Sequence, residues 1–171
     1  MGKIRLRAVE PEDVNMMFDC DNDEEARIWT DYAAPLSRRQ LLNYALTYDA
    51  DPFRAGQLRL IAEPFNDGGE AVGIGIVDLY DIDSNDGRAF VGIYILPEYR
   101  HSGMALEALE ALKKYCASVL GLRVLAAKVS TGNGAALGLF KQAGYTRICL
   151  LPSWHRIGSD FHDIALLVLF L

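Results

Sequence analysis

The chain has 171 residues, of which 51% are hydrophobic, and a formal net charge of −6. This length fits one ordinary domain that buries about two-thirds of its unfolded surface, so we expect residues 1–171 to form a single domain. The acidic balance, without any cluster of Lys or Arg, argues against nucleic-acid binding. No apolar run approaches the roughly 18 residues that span a bilayer, and the N-terminus lacks a signal pattern, so no membrane association is expected.

The cysteines and histidines exclude two further classes of protein. The cysteines are an odd number at unrelated spacings, which predicts reduced thiols and a cytoplasmic location rather than a disulfide framework. They form no Cys-x-x-Cys pair, and the histidines show no tight ligand spacing, so no metal site is expected. The cysteines are Cys20, Cys116 and Cys149.

The N-terminal region predicts a strand followed by two helices. Ile4 to Val9 has strand composition, and Pro11 opens a helix to about Phe18 with proline and acids in its first turn. An acidic loop follows. Ser37 is placed to cap a helix from Arg38 to about Tyr48, which the cluster Asp49-Ala50-Asp51-Pro52 ends.

The middle of the chain predicts an antiparallel meander. Leu58 to Glu63 is a strand, and Asn66-Asp67-Gly68-Gly69 is a hairpin turn into a longer strand from about Ala71 to Tyr80. A second polar turn, Ser84-Asn85-Asp86-Gly87, leads to a strand over Phe90 to Ile95. These strands follow one another without a crossover helix, as in a meander.

The C-terminal part alternates helices with strands. A helix begins near Leu106, a strand covers Val124 to Val129, and a helix covers Ala135 to Ala143. A last hairpin is expected from Tyr145 to Trp154 and from Asp160 to Phe170. The mixed order predicts an α+β fold with a mixed sheet.

The turn between the fourth strand and its following helix predicts an anion site. Pro97 stops the strand, and Gly103 lies just before a helix with apolar residues at helical spacing. The first amides of a helix have no intrahelical partners and carry the positive end of its dipole. A glycine there lets a phosphate approach the backbone.

The pattern Arg100-x-x-Gly103-x-Ala105 after a strand resembles the pyrophosphate loop of the GNAT superfamily of N-acetyltransferases. Val129 to Asn133 and the helix containing Leu139 to Tyr145 resemble the second acetyl-CoA segment of that family. Ile4 to Arg7 with Pro11-Glu12-Asp13 resembles the start of the branch that contains ribosomal-protein N-terminal and polyamine acetyltransferases. A dinucleotide-binding reading of Gly132-x-Gly134-x-x-x-Gly138 is disfavoured, since too little chain follows for a doubly wound sheet.

The resemblance implies a seven-stranded, mixed but mostly antiparallel sheet, flanked by about four helices and splayed where acetyl-CoA enters between the fourth and fifth strands. It implies an acetyl-CoA-dependent N-acetyltransferase in which a primary amine attacks the thioester directly, with no covalent enzyme intermediate. The cosubstrate-binding residues that it implies are Ile93, Ile95, Arg100, His101, Ser102, Gly103, Met104, Ala105, Leu106, Asn133, Phe140 and Lys141. Asn133 has the alternative role of a helix N-cap.

The sequence departs from the family at two polar positions. Phe140 stands where many relatives have a tyrosine that protonates the leaving thiolate, and Phe90 where many have a glutamate base. Tyr94 and Glu98 are the catalytic candidates that remain, and His162 on the last hairpin is a weaker one. The alternative function is therefore a catalytically weak acyl-CoA-binding or regulatory module.

The acceptor amine is either a polyamine or a protein or peptide α-amine. An acidic segment follows the first helix, which in the resembled fold lies beside the acceptor entrance, and could attract a cation. The oligomeric state is left open, with a homodimer as the candidate. The acids of this segment are Asp19, Asp21, Asp23, Glu24 and Glu25.

Overall fold

A computed structural model describes residues 4–30, 34–65 and 72–171, which build one seven-stranded sheet. The strands are β1 (Ile4–Arg7), β2 (Gln57–Pro64), β3 (Gly75–Asp83), β4 (Arg88–Ile95), β5 (Val124–Ser130), β6 (Thr146–Ile157) and β7 (Asp160–Phe170). Their order in the sheet is β1-β2-β3-β4-β5-β7-β6, and all neighbouring strands are antiparallel except β4 and β5, which are parallel. The predicted turn at 66–69 and residue 71 of the predicted third strand lie outside the described residues.

Four helices of two turns or more and two single-turn helices lie in the described ranges. The four longer ones correspond to the helices that the sequence predicts. A 3-10 turn, Pro11–Asp13, precedes the first helix, and a π-helical turn, Cys116–Leu120, continues the fifth. The helices are α1 (Val14–Asp21), α2 (Glu24–Arg27), α3 (Arg38–Thr47), α4 (Pro52–Ala55), α5 (Met104–Tyr115) and α6 (Gly134–Gln142).

The acidic segment predicted as a loop contains α2, so that prediction is wrong, and the sequence predicts no helix at α4. Each is one turn started by an aspartate cap: Asp23 accepts hydrogen bonds from the amides of Glu25 and Ala26, and Asp51 caps α4 with Pro52 in its first turn. A single turn has no apolar periodicity to detect, so only the cap could have indicated it.

The alternation of side chains along the strands divides the interior into two clusters. One contains Leu60, Val77 and Val91 and packs against α5 and α6. The other contains Ile61 and Ile76 and packs against α1 and α3. Neighbouring residues of one strand therefore face opposite sides of the sheet.

The sheet opens between its two parallel strands. The pairing of β4 with β5 runs only from Arg88↔Val124 to Phe90↔Ala126. Beyond that point β4 stays with β3 as far as Ile95, whereas β5 stays with β7 as far as Ser130. A V-shaped opening therefore separates the C-terminal halves of β4 and β5, which confirms the predicted splay. In the described part of the chain, no helix is long and apolar enough to cross a membrane.

Candidate active site

The edge of β4 that faces the opening carries unpaired backbone groups. The N–H of Leu96 donates to the carbonyl of Ile74 at 2.9 Å, so the N–H of Tyr94 also faces β3. Because this direction alternates along an antiparallel strand, the amides of Ile93 and Ile95 face away from β3, into the opening. Within the described ranges no ladder pair joins them to β5. They can therefore donate to a ligand that enters there.

The turn before α5 forms a concave backbone nest. His101 and Gly103 have positive φ angles of 60° and 84°, and the hydroxyl of Ser102 donates to the Tyr99 carbonyl at 2.5 Å. The amides of His101, Ser102 and Gly103 donate to no acceptor in the described part of the chain. Alternating left-handed conformations of this kind turn successive N–H groups toward one point and bind anions.

The first turn of α5 adds further donors to this nest. The Gly103 carbonyl accepts the first helical hydrogen bond, from the amide of Glu107 at 3.1 Å. The amides of Met104, Ala105 and Leu106 therefore have no intrahelical acceptor. A Cβ atom added to Gly103 would meet no atom within 4 Å, which leaves room for a ligand. The nest therefore fits the pyrophosphate group of acetyl-CoA, and the opening beside it fits an extended arm.

Arg100 begins this motif, but its side chain lies away from the nest. Its Nε donates to the Ile95 carbonyl at 2.9 Å, and its Nη2 lies 3.3 Å from an oxygen of Asp23. Its guanidinium carbon is 5.1 Å from the centre of the Tyr94 ring. The Arg100 guanidinium is therefore engaged at the end of β4 in this structure.

Tyr94 and Asp23 form a hydrogen-bonded pair beside the opening, on the face of the sheet that α1 and α3 cover. The Tyr94 hydroxyl donates to Asp23. Burial and this carboxylate together raise the pKa of Tyr94, so the hydroxyl keeps its proton at neutral pH. Burial alone would raise the pKa of Asp23, but the hydrogen bonds from Tyr94, two backbone amides and Arg100 outweigh it and lower that pKa. Asp23 is therefore ionised.

The two positions that depart from the family carry phenylalanines that pack against tyrosine rings. Phe140 is buried on α6 and meets Tyr145 edge to face, with ring centres 5.0 Å apart. Phe90 lies where the splay begins, stacked on Tyr80 with ring centres 5.5 Å apart, and Lys128 Nζ lies 4.6 Å from its ring. Neither position carries a group that exchanges protons.

Four other candidate residues lie outside the nest. Asn133 caps α6 by accepting from the Ala136 amide at 3.1 Å, so the helix-cap role is present. Lys141 is exposed in the last turn of α6. Glu98 is exposed in the 3-10 turn after β4, and His162 pairs with His155 across the last hairpin.

Only part of the acidic segment is available to a ligand. The Asp21 carboxylate binds Arg59 at 2.7 Å, and the same guanidinium binds Asp78 at 2.8 Å. Arg59 and Asp21 have side chains only 10% and 5% exposed, so this group is structural. The acids that remain exposed are Asp19, Glu24 and Glu25.

Residues 22–30, here called the bridge segment, contact both β4 and the β5–β7–β6 part of the sheet, which border the opening. Asp23 contacts the end of β4 through Tyr94. At the other end, His155 Nε2 on β6 donates to the Ile28 carbonyl at 2.8 Å, and Trp29 lies 3.4 Å from the position of a Cβ on Gly132. Sequence reasoning missed Trp29 and His155, because no local pattern links residues so far apart along the chain.

In the residues that the structure describes, no group of three or more His, Cys, Asp or Glu side chains could hold a metal ion. The free cysteines are buried at Cys20 and Cys116 and exposed at Cys149.

Comparisons with known proteins agree with this geometry. The chain matches the family model for the acetyltransferase (GNAT) domain over residues 3–146. It is similar to the spermidine N(1)-acetyltransferase of Escherichia coli (strain K12), with 29% identity over 146 residues that cover 84% of this chain and 73% of that protein.

Solved structures of low sequence identity show the same fold. One is spermidine N-acetyltransferase from Vibrio cholerae in complex with CoA and spermine, with TM-score 0.83, 20% identity and coverage of 99% of this chain and 96% of that one. Another is a dodecameric structure of the Vibrio cholerae enzyme, with TM-score 0.81, 21% identity and coverage of 99% and 95%. Because the family model spans most of the chain and the splayed sheet is present, this chain belongs to the GNAT acetyltransferases and is an acetyl-CoA-dependent N-acetyltransferase.

Proposed function

We propose that the acceptor is a polyamine, whose free primary amine attacks the thioester directly in a ternary complex. The observation that carries this proposal is the exposure of three acids beside the opening. Asp19, Glu24 and Glu25 are exposed and flank Asp23, which contacts Tyr94 at the end of β4. Such a cluster attracts a cation from solution. The name of the Escherichia coli relative, a spermidine acetyltransferase, supports the same acceptor.

We propose distinct roles for the backbone and the side chains of the site. The nest at His101–Leu106 holds the pyrophosphate, and the amide of Ile95 polarises the acyl carbonyl. When bound, acetyl-CoA supplies an acyl carbon activated as a thioester. Tyr94 orients the amine, and Glu98 accepts its proton through solvent. As the C–N bond forms, the C–S bond of the thioester would break, and the CoA thiolate would take its proton from solvent.

Three residues of the second acetyl-CoA segment complete the proposed site. Asn133 contributes its free amide group, because its Oδ1 already caps α6. Phe140 supplies an apolar wall, and Lys141 an exposed positive charge. None of the three donates or removes a proton in the proposed reaction.

The acceptor class can be tested with a charge-neutral variant of the exposed acids. We expect Asp19→Asn, Glu24→Gln and Glu25→Gln together to raise the KM for spermidine about tenfold at low salt and to flatten its salt dependence, because long-range attraction is screened by salt. The affinity for CoA should not change. Asp21 and Asp23 are left intact, since their neutralisation would disturb Arg59 and Tyr94.

A matched control removes the same charge elsewhere. Glu12, Asp81 and Asp86 are exposed, and their conversion to amides should leave the KM for spermidine within about twofold. Equal KM values in the two triple variants, or efficient acetylation of neutral peptides without any response to spermidine, would exclude the polyamine. CoA binding without turnover of any amine would instead favour the catalytically weak binding module.

We also propose that residues 1–171 act as a single domain, although the family match ends at 146. The hairpin beyond it belongs to the same sheet, because β7 pairs with β5 from Val124↔Phe170 to Ser130↔Ile164. A chain ended after 146 would leave one edge of β5 unpaired. We therefore expect that truncated chain to be insoluble, and a soluble product that binds CoA would contradict the proposal.

We propose a homodimer formed through β6. This strand is an edge of the sheet, and Ile148 and Trp154 on it are 58% and 65% exposed. Long exposed apolar edge strands associate unless they are covered. Ile148→Lys should convert the dimer to a monomer in light scattering, and an unchanged mass would exclude this surface.

We propose a cytoplasmic location, which the free thiols support. Reduced cysteines persist in the cytosol, whereas secreted proteins usually form disulfides. Recovery of the native protein in the cytosolic fraction, with every cysteine reactive to a thiol reagent after denaturation, is the expected result.

A further inference from the structure

The position of the Arg100 side chain separates it from the rest of its motif. Its Nε donates to the Ile95 carbonyl at 2.9 Å, and its Nη2 lies 3.3 Å from Asp23. It also lies over the Tyr94 ring, 5.1 Å from its centre. The two hydrogen bonds use Nε and Nη2, which the planar guanidinium holds at a fixed separation.

The two side chains that Arg100 contacts, Tyr94 and Asp23, lie on one side of the sheet. Tyr94 alternates with Ile95 along β4 and packs in the cluster of α1 and α3, whereas Ile95 packs in the cluster of α5 and α6. The nest begins α5 and therefore lies on the face of the sheet opposite to the Tyr94 side chain. The guanidinium extends from the nest loop across the end of β4 to the side where Asp23 lies.

The hydrogen bonds of Asp23 fix the direction of the Tyr94 proton. One oxygen of Asp23 accepts from the amides of Glu25 and Ala26 at 2.9 and 3.3 Å. The other accepts from Tyr94 and from Arg100. Because the Tyr94 proton is directed at Asp23, the lone pairs of its oxygen remain available to accept a hydrogen bond.

We infer that Arg100 is a positioning residue of the acceptor side: with Asp23 it holds the Tyr94 hydroxyl so that its oxygen accepts an N–H of the attacking amine. This inference rests on the proposed direct attack by an amine, and it holds for a polyamine or a peptide amine alike. The pyrophosphate is then held by backbone amides, and the Arg100 side chain contributes little to the affinity for CoA.

The experiment compares Arg100→Gln with Lys114→Gln. Lys114 is an exposed cation in the last turn of α5, outside the proposed site. Calorimetry with CoA should give a Kd for Arg100→Gln within about threefold of wild type, whereas kcat/KM for the amine should fall about tenfold or more, the loss expected for a misplaced reacting group. Lys114→Gln should leave kcat/KM for the amine unchanged.

The coupling between Arg100 and Asp23 gives a second readout. If both act through Tyr94, the double variant Arg100→Gln with Asp23→Asn should lower kcat/KM for the amine no further than the more damaging single variant, because groups that work as a unit are non-additive. Tyr94→Phe should lower it to a similar level. Additive losses would overturn the inference.

A rise of tenfold or more in the CoA Kd of Arg100→Gln would also overturn it, because that is the result for a phosphate anchor. So would an unchanged kcat/KM for the amine. Should Arg100→Gln not fold, Arg100→Lys serves the same purpose: a single ammonium group keeps the charge that a phosphate needs but cannot reproduce the fork. The CoA arm needs no amine, so a failure of the proposed acceptor class would be recognised separately.

Discussion

The two sides of the sheet bury different kinds of side chain. The side covered by α5 and α6 has an almost wholly apolar interior, and its ligand site is the backbone nest at His101–Leu106. The side covered by α1 and α3 carries buried ion pairs, in which Glu63 binds Arg7 and Arg59 binds both Asp21 and Asp78. The strands produce this division, because alternate residues of β1, β2 and β3 face opposite sides.

The two sides of the sheet recognise their substrates in different ways. The acetyl-CoA side uses N–H groups that every residue possesses, so its function depends on local backbone shape. The acceptor side uses side chains from distant parts of the chain, such as Tyr94 and Asp23, which are 71 residues apart. Side-chain substitutions should therefore disturb the acceptor side and leave the nest intact, unless they change its backbone conformation.

The largest expected effect is on the buried ion group. Burial would lower the pKa of Arg59, but Asp78 and Asp21 raise it well above its usual range, so it stays charged. Arg59→Met should lower the free energy of unfolding by about 3–5 kcal/mol, because it leaves two carboxylates without their cation. Urea denaturation measures this change.

Arg54→Met is the matched control for Arg59→Met. Arg54 also binds an aspartate through two nitrogens, but its side chain is 73% exposed. Exposed pairs contribute little, so the denaturation midpoint should stay close to that of wild type. Equal losses in the two variants would remove the distinction between a structural Asp21 and the exposed acids Asp19, Glu24 and Glu25.

A glycine substitution should abolish ligand binding at the nest, on the α5–α6 side of the sheet. Gly103→Glu should weaken CoA binding at least about 100-fold, because its carboxylate would occupy the nest and repel the pyrophosphate. Calorimetry on the folded variant measures this. A positive φ costs an L residue roughly 1–2 kcal/mol, so strain must be separated from charge.

Gly158→Glu provides that separation. Gly158 has a positive φ of 62° and open space around its Cβ position, as Gly103 does, but it lies in the turn between β6 and β7. It should lose similar stability and keep its affinity for CoA. Unchanged CoA binding in a folded Gly103→Glu variant would show that the nest is not the pyrophosphate site.

These contrasts also explain what the sequence could predict. The nest lies within six consecutive residues, and the strand before it, the turn with its glycine and the helix after it follow one another directly in the sequence. The side-chain network is not visible in the sequence: Asp21 and Arg59 are 38 residues apart, and the exposed and paired acids of the segment after the first helix look alike. The splay was expected only from the family resemblance, because nothing in the composition of β4 or β5 shows where their pairing ends.

The buried ion pairs on the α1–α3 side should make the stability of the protein depend on pH. Burial would raise the pKa of Glu63, but hydrogen bonds from Arg7 and Arg5 outweigh it and lower that pKa. The stabilisation is therefore present above the unfolded pKa of about 4.3 and is lost as pH falls through the lower folded value. Glu63→Gln should lower the unfolding free energy by about 2 kcal/mol at pH 7.

The same variant should show a smaller loss of stability than wild type between pH 6 and pH 3, because the titrating group is gone. Thermal unfolding at several pH values measures both effects. Parallel pH profiles for the variant and wild type would show that Glu63 is not stabilised as an anion in the folded protein.

The smallest expected effect concerns the hydroxyl of Tyr145 on the α5–α6 side. It is buried and has no hydrogen-bond partner among the described residues, and burial raises its pKa, so it stays protonated. An unsatisfied buried polar group costs about 1–3 kcal/mol. Tyr145→Phe keeps the ring against Phe140 and should therefore raise the unfolding free energy by about 1 kcal/mol, with a gain of roughly 2–4 °C in Tm.

Tyr94→Phe is the matched control on the other side of the sheet, where the hydroxyl donates to Asp23, and it should be neutral or destabilising. A loss of stability in Tyr145→Phe would show that this hydroxyl has a partner in solution, and the apolar side would then also depend on a polar side chain.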